Sequence, residues 1–125
     1  MADPGLVSVV MPTYNHAAFI GGAIRSVLDQ TYSNFELIIV DNYSTDNTEA
    51  VAAACGDSRI RYVKFRNEGI IAAARNYGIG LARGEYVAFL DSDDLWLPEK
   101  LELQMECFNR AGDTAMVYSR FRTIT

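Results

Sequence analysis

The sequence predicts an α/β fold, with a mostly parallel sheet and helices on both faces. Three observations carry this expectation. Four short apolar runs, Leu6–Met11, Phe35–Val40, Ile60–Phe65 and Tyr86–Leu90, have the length of strands and are rich in β-branched and aromatic residues. Segments with helical apolar spacing alternate with them, an order that implies parallel strands joined by right-handed crossovers. Three of the runs stop at polar residues: Thr13-Tyr14-Asn15, Asp41-Asn42 and Asp91-Ser92-Asp93-Asp94. Parallel pairing would bring those three ends to one edge of the sheet, where open α/β sheets hold their ligands.

Taken in order, Met1–Gly5 is expected to be a disordered lead-in. Leu6–Met11 is a buried strand that Pro12, lacking an N–H, should stop. Ile20, Ala23, Ile24, Val27 and Leu28 recur at helical spacing within a helix over Ala17–Gln30. Phe35–Val40 is the second strand. Asp46 followed by Glu49 reads as a capping box for a helix reaching about Cys55, which Gly56-Asp57-Ser58 ends. Ile60–Phe65 alternates as a third strand, and a helix from about Ile70 to Ala82 carries Arg75. Tyr86–Leu90 reads as a strand buried on both faces. Pro98 suits the first position of a helix whose buried face is Leu101, Met105 and Phe108. Ala115–Ser119 completes the pattern as a short strand, and an open edge there predicts some tendency to dimerise.

Composition limits what this fold can do. Half of the 125 residues are hydrophobic and 22% are charged, which suits one folded domain. A net charge of −5 argues against general affinity for nucleic acid or anionic membrane, yet leaves room for phosphate held by placed arginines and a metal. No apolar run approaches the roughly 18 residues of a membrane span, and no signal peptide opens the chain. Cys55 and Cys107 lie far apart in predicted helices and are expected to be free core thiols in a reducing cytoplasm.

The acidic turn is the strongest chemical signal. Two carboxylates about 6 Å apart repel by roughly 3 kcal/mol at an effective dielectric near 20. A divalent cation would turn that repulsion into attraction, and hard oxygen ligands favour Mg2+ or Mn2+. The bland alternative is a solvated turn whose Asp side chains cap the helix at Pro98. The first turn lacks Gly-x-Gly-x-x-Gly and the chain lacks a P-loop, so neither dinucleotide nor Walker-type binding is supported. His16, the one histidine, sits at a helix start and is read as a surface or capping residue, without a Ser-His-Asp triad to join. Arg75 is either an exposed arginine or, if its helix start faces the shared edge, a phosphate or base ligand. Tyr14 and Trp96 read as core or rim aromatics, Tyr14 standing where a base could lie against it.

Several stretches resemble the family 2 glycosyltransferases, whose nucleotide-sugar-binding domain has the Rossmann-like GT-A fold. They are Val9-Val10-Met11-Pro12-Thr13-Tyr14-Asn15, Glu36 through Asp46, Asn67-Glu68-Gly69, Ala74-Arg75-Asn76-Tyr77-Gly78-Ile79, Gly84 through Asp94, and Pro98-Glu99-Lys100-Leu101. They follow the family's order and spacing over nearly the whole chain. The resemblance implies a donor site for a nucleoside-diphosphate sugar, most often a UDP-sugar. By it Pro12, Thr13, Tyr14 and Asn15 line the nucleotide pocket and Asp41 accepts a hydrogen bond from the base. Arg75 contacts the nucleotide or its phosphates, and Asn42, Ser44, Asn67, Gly69 and Ser92 belong to the same substrate-binding set. Asp91 holds the ribose or a metal-bound water, and Asp93 coordinates the Mn2+ or Mg2+ that bridges the diphosphate. Asp94 is either a supporting group or a helix cap.

Two departures from the family pattern shape the expectation. Asn42-Tyr43-Ser44 stands where the family usually has Asp-Gly-Ser, and Tyr for Gly excludes the easy positive-φ geometry, so a different loop path and different base contacts are expected. The later part of the family, with the acceptor site and the carboxylate general base of an inverting displacement, has no counterpart by Thr125. Residues 6–125 are therefore expected to be the donor-binding portion of a transferase domain, with weak or absent transfer by this chain itself. The implied partners are a UDP-type sugar nucleotide and a glycan or lipid-linked acceptor in polysaccharide biosynthesis, in the cytoplasm or at the inner face of its membrane. Two other readings compete: a non-catalytic binding or interaction module on the same fold, and a sugar-nucleotide nucleotidyltransferase. The second would want a Gly-rich basic loop after the first strand, which this chain lacks.

Overall fold

A computed structural model describes residues 3–111. Four parallel strands, β1 (Asp3–Thr13), β2 (Phe35–Asp41), β3 (Ile60–Lys64) and β4 (Gly84–Phe89), alternate with helices α1 (Ala17–Leu28), α2 (Thr48–Ala53), α3 (Ile71–Leu81) and α4 (Lys100–Ala111). The strand order is β3-β2-β1-β4. The chain thus steps outward from β1 to β3 and then jumps back across β1 to β4. With right-handed crossovers this reversal sends α1 and α2 to one face and α3 to the other. The core divides accordingly. Val7, Val9, Met11, Phe35, Leu37 and Ile39 pack against Ile20, Ile24 and Val27 of α1, Ala52 of α2, and Leu101 and Met105 of α4. The opposite side chains of the same strands, Val10, Ile38 and Val40, pack against Ala74 of α3. The α/β fold with helices on both faces is as the sequence predicts.

Several boundaries differ for identifiable reasons. β1 begins at Asp3, not Leu6, so the expected lead-in is strand from its third residue: Asp3 pairs with Gly84, and the Gly5 N–H donates to Glu85 Oε1 at 3.0 Å. β1 also continues through Pro12 to Thr13, paired with Val40 and Asp41 of β2. Pro12 does not stop it because its missing N–H lies on the β4 side. Val10, two residues earlier, accepts there from Leu90 N–H at 3.1 Å, and β4 pairing has ended by Pro12. α2 starts at Thr48, and Glu49 pairs with Lys64 at 2.9 Å instead of closing a capping box. α4 starts at Lys100, two residues past Pro98.

β4 is the larger correction. It was expected to be buried on both faces, but its residues alternate half-buried and exposed, with Phe89 42% exposed. It is an edge strand among the described residues, and from α3 the Arg75 guanidinium reaches it, 5.7 Å from the centroid of the Phe89 ring. Cys55 and Cys107 are both free, as expected, but Cys107 is exposed rather than in the core. The expected strand Ala115–Ser119, and the dimerising edge argued from it, lie outside the described residues.

Candidate functional site

The reversal in strand order falls between β1 and β4, and the crevice beyond the strand ends at such a switch is where open sheets bind ligands. The predicted site residues come together at this edge in two groups. One group binds the loops to each other. Asn15, at φ +52°, donates its N–H to Ser44 Oγ at 2.9 Å and accepts the Thr45 N–H on Oδ1 at 2.7 Å. The loop after β1 is thereby stapled to the loop after β2. Asn67 is buried; its N–H donates to Asn42 Oδ1 at 3.0 Å, and its own Oδ1 accepts the Gly69 N–H at 2.8 Å. That ties in the loop after β3. Asp41 is buried, with Oδ1 accepting the Ser44 N–H (3.0 Å) and hydroxyl (2.6 Å) and Oδ2 accepting the Tyr62 hydroxyl at 2.5 Å. Burial and then this bond to Asp41 push the Tyr62 hydroxyl well above its ordinary pKa, so it stays a donor.

Tyr43 sits in this mesh at φ +55°. The expectation that tyrosine would exclude positive φ is overturned. The Asp41–Ser44 bonds hold the turn, and the ring rests beneath Arg66, 4.8 Å from its centroid.

The second group keeps its polar atoms open. Thr13 Oγ1 and Arg75 Nε are buried without a hydrogen-bond partner among the described residues. Tyr14 is half exposed. Asp91, Asp93 and Asp94 each bring a carboxylate oxygen within 4.8 Å of the others. Burial, and then the charges of Asp93 and Asp91, hold the Asp94 carboxyl above its usual range. Arg75 Nη2 lies 3.3 Å from Asp91 Oδ1 and offers partial compensation to the cluster. An all-carboxylate set this close suits a hard divalent cation. Open donors and a cation together are what a diphosphate needs.

Sequence reasoning missed two residues at this edge. Tyr62 braces Asp41 from 21 positions away along the chain. His16 is the N-cap residue of α1 but makes no side-chain cap; its Nδ1 lies 2.6 Å from Ser92 Oγ, between the acidic residues. No local pattern announces either contact.

The sequence profile described as "Glycosyl transferase family 2" matches residues 8–125. This chain belongs to that family. It is 39% identical over 122 residues to an Escherichia coli protein, UDP-Glc:alpha-D-GlcNAc-diphosphoundecaprenol beta-1,3-glucosyltransferase WfgD, covering 98% of this chain and 48% of that one. Among solved structures, Staphylococcus aureus TarS 1–349 in complex with UDP superposes with a TM-score of 0.76 at 30% identity, over 83% of this chain and 32% of that one. A mannosyltransferase from Pyrobaculum calidifontis, solved with GDP-Man and Mn2+, gives a TM-score of 0.66 at 31% identity, over 72% and 28% of the two chains. The GT-A fold implied by the sequence motifs is therefore the fold of this family member. The chain spans less than half the length of the curated relatives it matches. No helix among the described residues is long and apolar enough to cross a membrane.

Proposed function

We propose that the switch-point edge is the donor site of an inverting sugar transferase and binds a nucleoside-diphosphate sugar of the UDP type with Mn2+ or Mg2+. The observation that carries this reading is that the three-carboxylate cluster and the buried groups of Thr13 and Arg75, unpartnered among the described residues, gather at one edge of the sheet. Asp93 and Asp91 are the residues that would hold the cation, which when bound stabilises negative charge on the departing diphosphate. Arg75, free at Nε, is placed to donate to a phosphate or the base. Tyr14 offers a ring face to the base, and the Thr13 hydroxyl a bond to the nucleoside. Asp41 already accepts three bonds of the roughly four a carboxylate can take, so one position remains for the base. Asn42, Ser44, Asn67 and Gly69 shape the pocket wall.

The names of the relatives support the finer reading. TarS is solved with UDP and the mannosyltransferase with Mn2+, while the E. coli relative's name gives a glucose donor and an undecaprenol-linked acceptor. On this reading the chain acts on the cytoplasmic side of a membrane and supplies the donor half of transfer to a glycan or lipid-linked acceptor in polysaccharide assembly. The test is calorimetric titration of UDP with Mn2+, repeated with chelator and with Asp93→Ala. Binding that requires both the metal and Asp93 is expected. Binding that survives chelator and substitution alike would remove the cation from the site, and no binding at all would favour an interaction module.

A further inference from the structure

Asp91 and Asp93 flank a residue that faces the other way. Ser92 is fully buried, whereas Asp91 is half-buried and Asp93 exposed. A buried hydroxyl needs a partner, and the His16 ring supplies it through Nδ1 at 2.6 Å. His16 is itself rooted. Its carbonyl accepts the N–H groups of Phe19 (2.9 Å) and Ile20 (2.8 Å) at the start of α1, and its ring meets Phe19 edge-on. α1 is in turn fixed to the core through Ile20, Ala23, Ile24 and Val27.

The far end of the acidic loop is held separately. The Gln30 side chain donates to Leu97 O at 2.7 Å and accepts the Leu101 N–H at 3.0 Å, while Trp96 is buried in the core. Breaking the His16–Ser92 contact would therefore free the middle of the turn while leaving the Asp94 N–H bond to Asp91 O, the Arg75–Asp91 contact and the far end of the loop in place. Since the ring makes no capping bond, its polar contact with that turn is not explained by helix initiation.

We propose that His16 is a positioning residue for the divalent cation. Its contact with Ser92 draws the middle of the turn inward and so sets the carboxylates of Asp91 and Asp93 on the outer side, at a spacing one cation can bridge. This rests on the donor-site reading above. A group bonded directly to a metal ligand contributes about 10- to 100-fold to metal affinity, and His16, acting one residue further out through Ser92, is expected at the lower end, about tenfold.

The test is calorimetry of Mn2+ with UDP, together with the electron paramagnetic resonance spectrum of bound Mn2+, for wild type, His16→Ala, His16→Asn, Ser92→Ala and the double alanine variant. His16→Ala and Ser92→Ala are each expected to weaken Mn2+ binding by about tenfold and to broaden the bound spectrum. The double variant should be no weaker than either single one, because both remove the same contact. His16→Asn, whose amide can reach the Nδ1 position, should restore most of the affinity. Should His16→Ala fold poorly, Ser92→Ala breaks the contact from the other side and carries the comparison. Wild-type affinity and spectrum in both alanine variants, or losses that simply add, would overturn the role of His16. Absence of Mn2+ binding in the wild type would instead overturn the donor-site reading, and this inference with it.

Discussion

The opposite end of the sheet holds a buried charge whose removal has a calculable effect. Glu36 of β2 lies on the α3 face, nearly inaccessible to solvent. Its Oε2 accepts the Ser8 hydroxyl at 2.6 Å and the Arg83 N–H at 2.7 Å, and its Oε1 accepts Arg61 Nη1 at 3.3 Å. Ser8 Oγ in turn accepts the Gly84 N–H at 2.9 Å, so this carboxylate anchors the start of β4 to the two central strands. Burial alone would raise its pKa, but the Ser8, Arg83 and Arg61 interactions outweigh burial and hold it below 4.5. In Glu36→Gln the amide oxygen can keep the Ser8 and Arg83 bonds, but as neutral ones, while the amide nitrogen then faces Arg61. Charged bonds contribute roughly twice what neutral ones do, so about 1 kcal/mol is lost at each of the two, and about 1 more at Arg61. The expected destabilisation is roughly 2–3 kcal/mol at pH 7, read from urea unfolding. A carboxyl with a depressed folded-state pKa contributes fully above its unfolded value and loses that contribution as pH falls through the folded value. The gap between wild type and Glu36→Gln should thus be flat from pH 7 to about 4.5 and close below it. A gap within about 0.5 kcal/mol at neutral pH, the ordinary range for a surface change, would refute the reasoning. So would a gap that stays constant into acid.

Two further substitutions probe the backbone. A Cβ on Gly78 of α3 would lie 2.4 Å from Val10 Cγ1, and Val10 is buried and stiff at χ1. Overpacking of about 1–3 kcal/mol, set against about 1 from better helix propensity, makes Gly78→Ala destabilising by up to about 2 kcal/mol in thermal unfolding; in a Val10→Ala background the same change should be neutral or stabilising, and an equal penalty in both would contradict the contact. At Tyr43, the left-handed backbone favours glycine over alanine by about 1 kcal/mol, so Tyr43→Gly should unfold at a higher urea concentration than Tyr43→Ala, and the reverse order would mean the turn relaxes to negative φ.

What the sequence disclosed follows from where its physics is local. β1 and β2 are central strands with both faces covered, and their unbroken apolar runs say so. The run Tyr86–Leu90 looks the same on paper yet forms an edge among the described residues, because burial on the second face depends on what else covers the strand and not on the run itself. Pro12 was read by its usual effect; whether a missing N–H matters depends on which neighbour it would have faced. Helix starts shifted for a similar reason. Asp46, read as a cap for α2 alone, also accepts the Ala17 N–H at 3.1 Å and so joins the starts of two helices.

The site shows the same division between what is local and what is not. Parallel alternation sufficed to bring Thr13, Asp41 and Asp91 to one edge, because topology alone determines it. The partners of those residues were illegible: His16 and Ser92 lie 76 positions apart, and a lone histidine carries no pattern. Motif residues also divide in a way their resemblance does not reveal. Asn15, Asn42 and Ser44 turn their side chains toward neighbouring loops and Asn67 braces its own turn, while Thr13 Oγ1 and Arg75 Nε have no partner among the described residues and the three carboxylates crowd together. A loop that must hold a cation and a diphosphate has to be rigid before the ligand arrives. On the proposed donor-site reading, part of the motif therefore serves shape, and substituting Asn15 or Asn67 is expected to weaken binding by a route different from substituting Asp93.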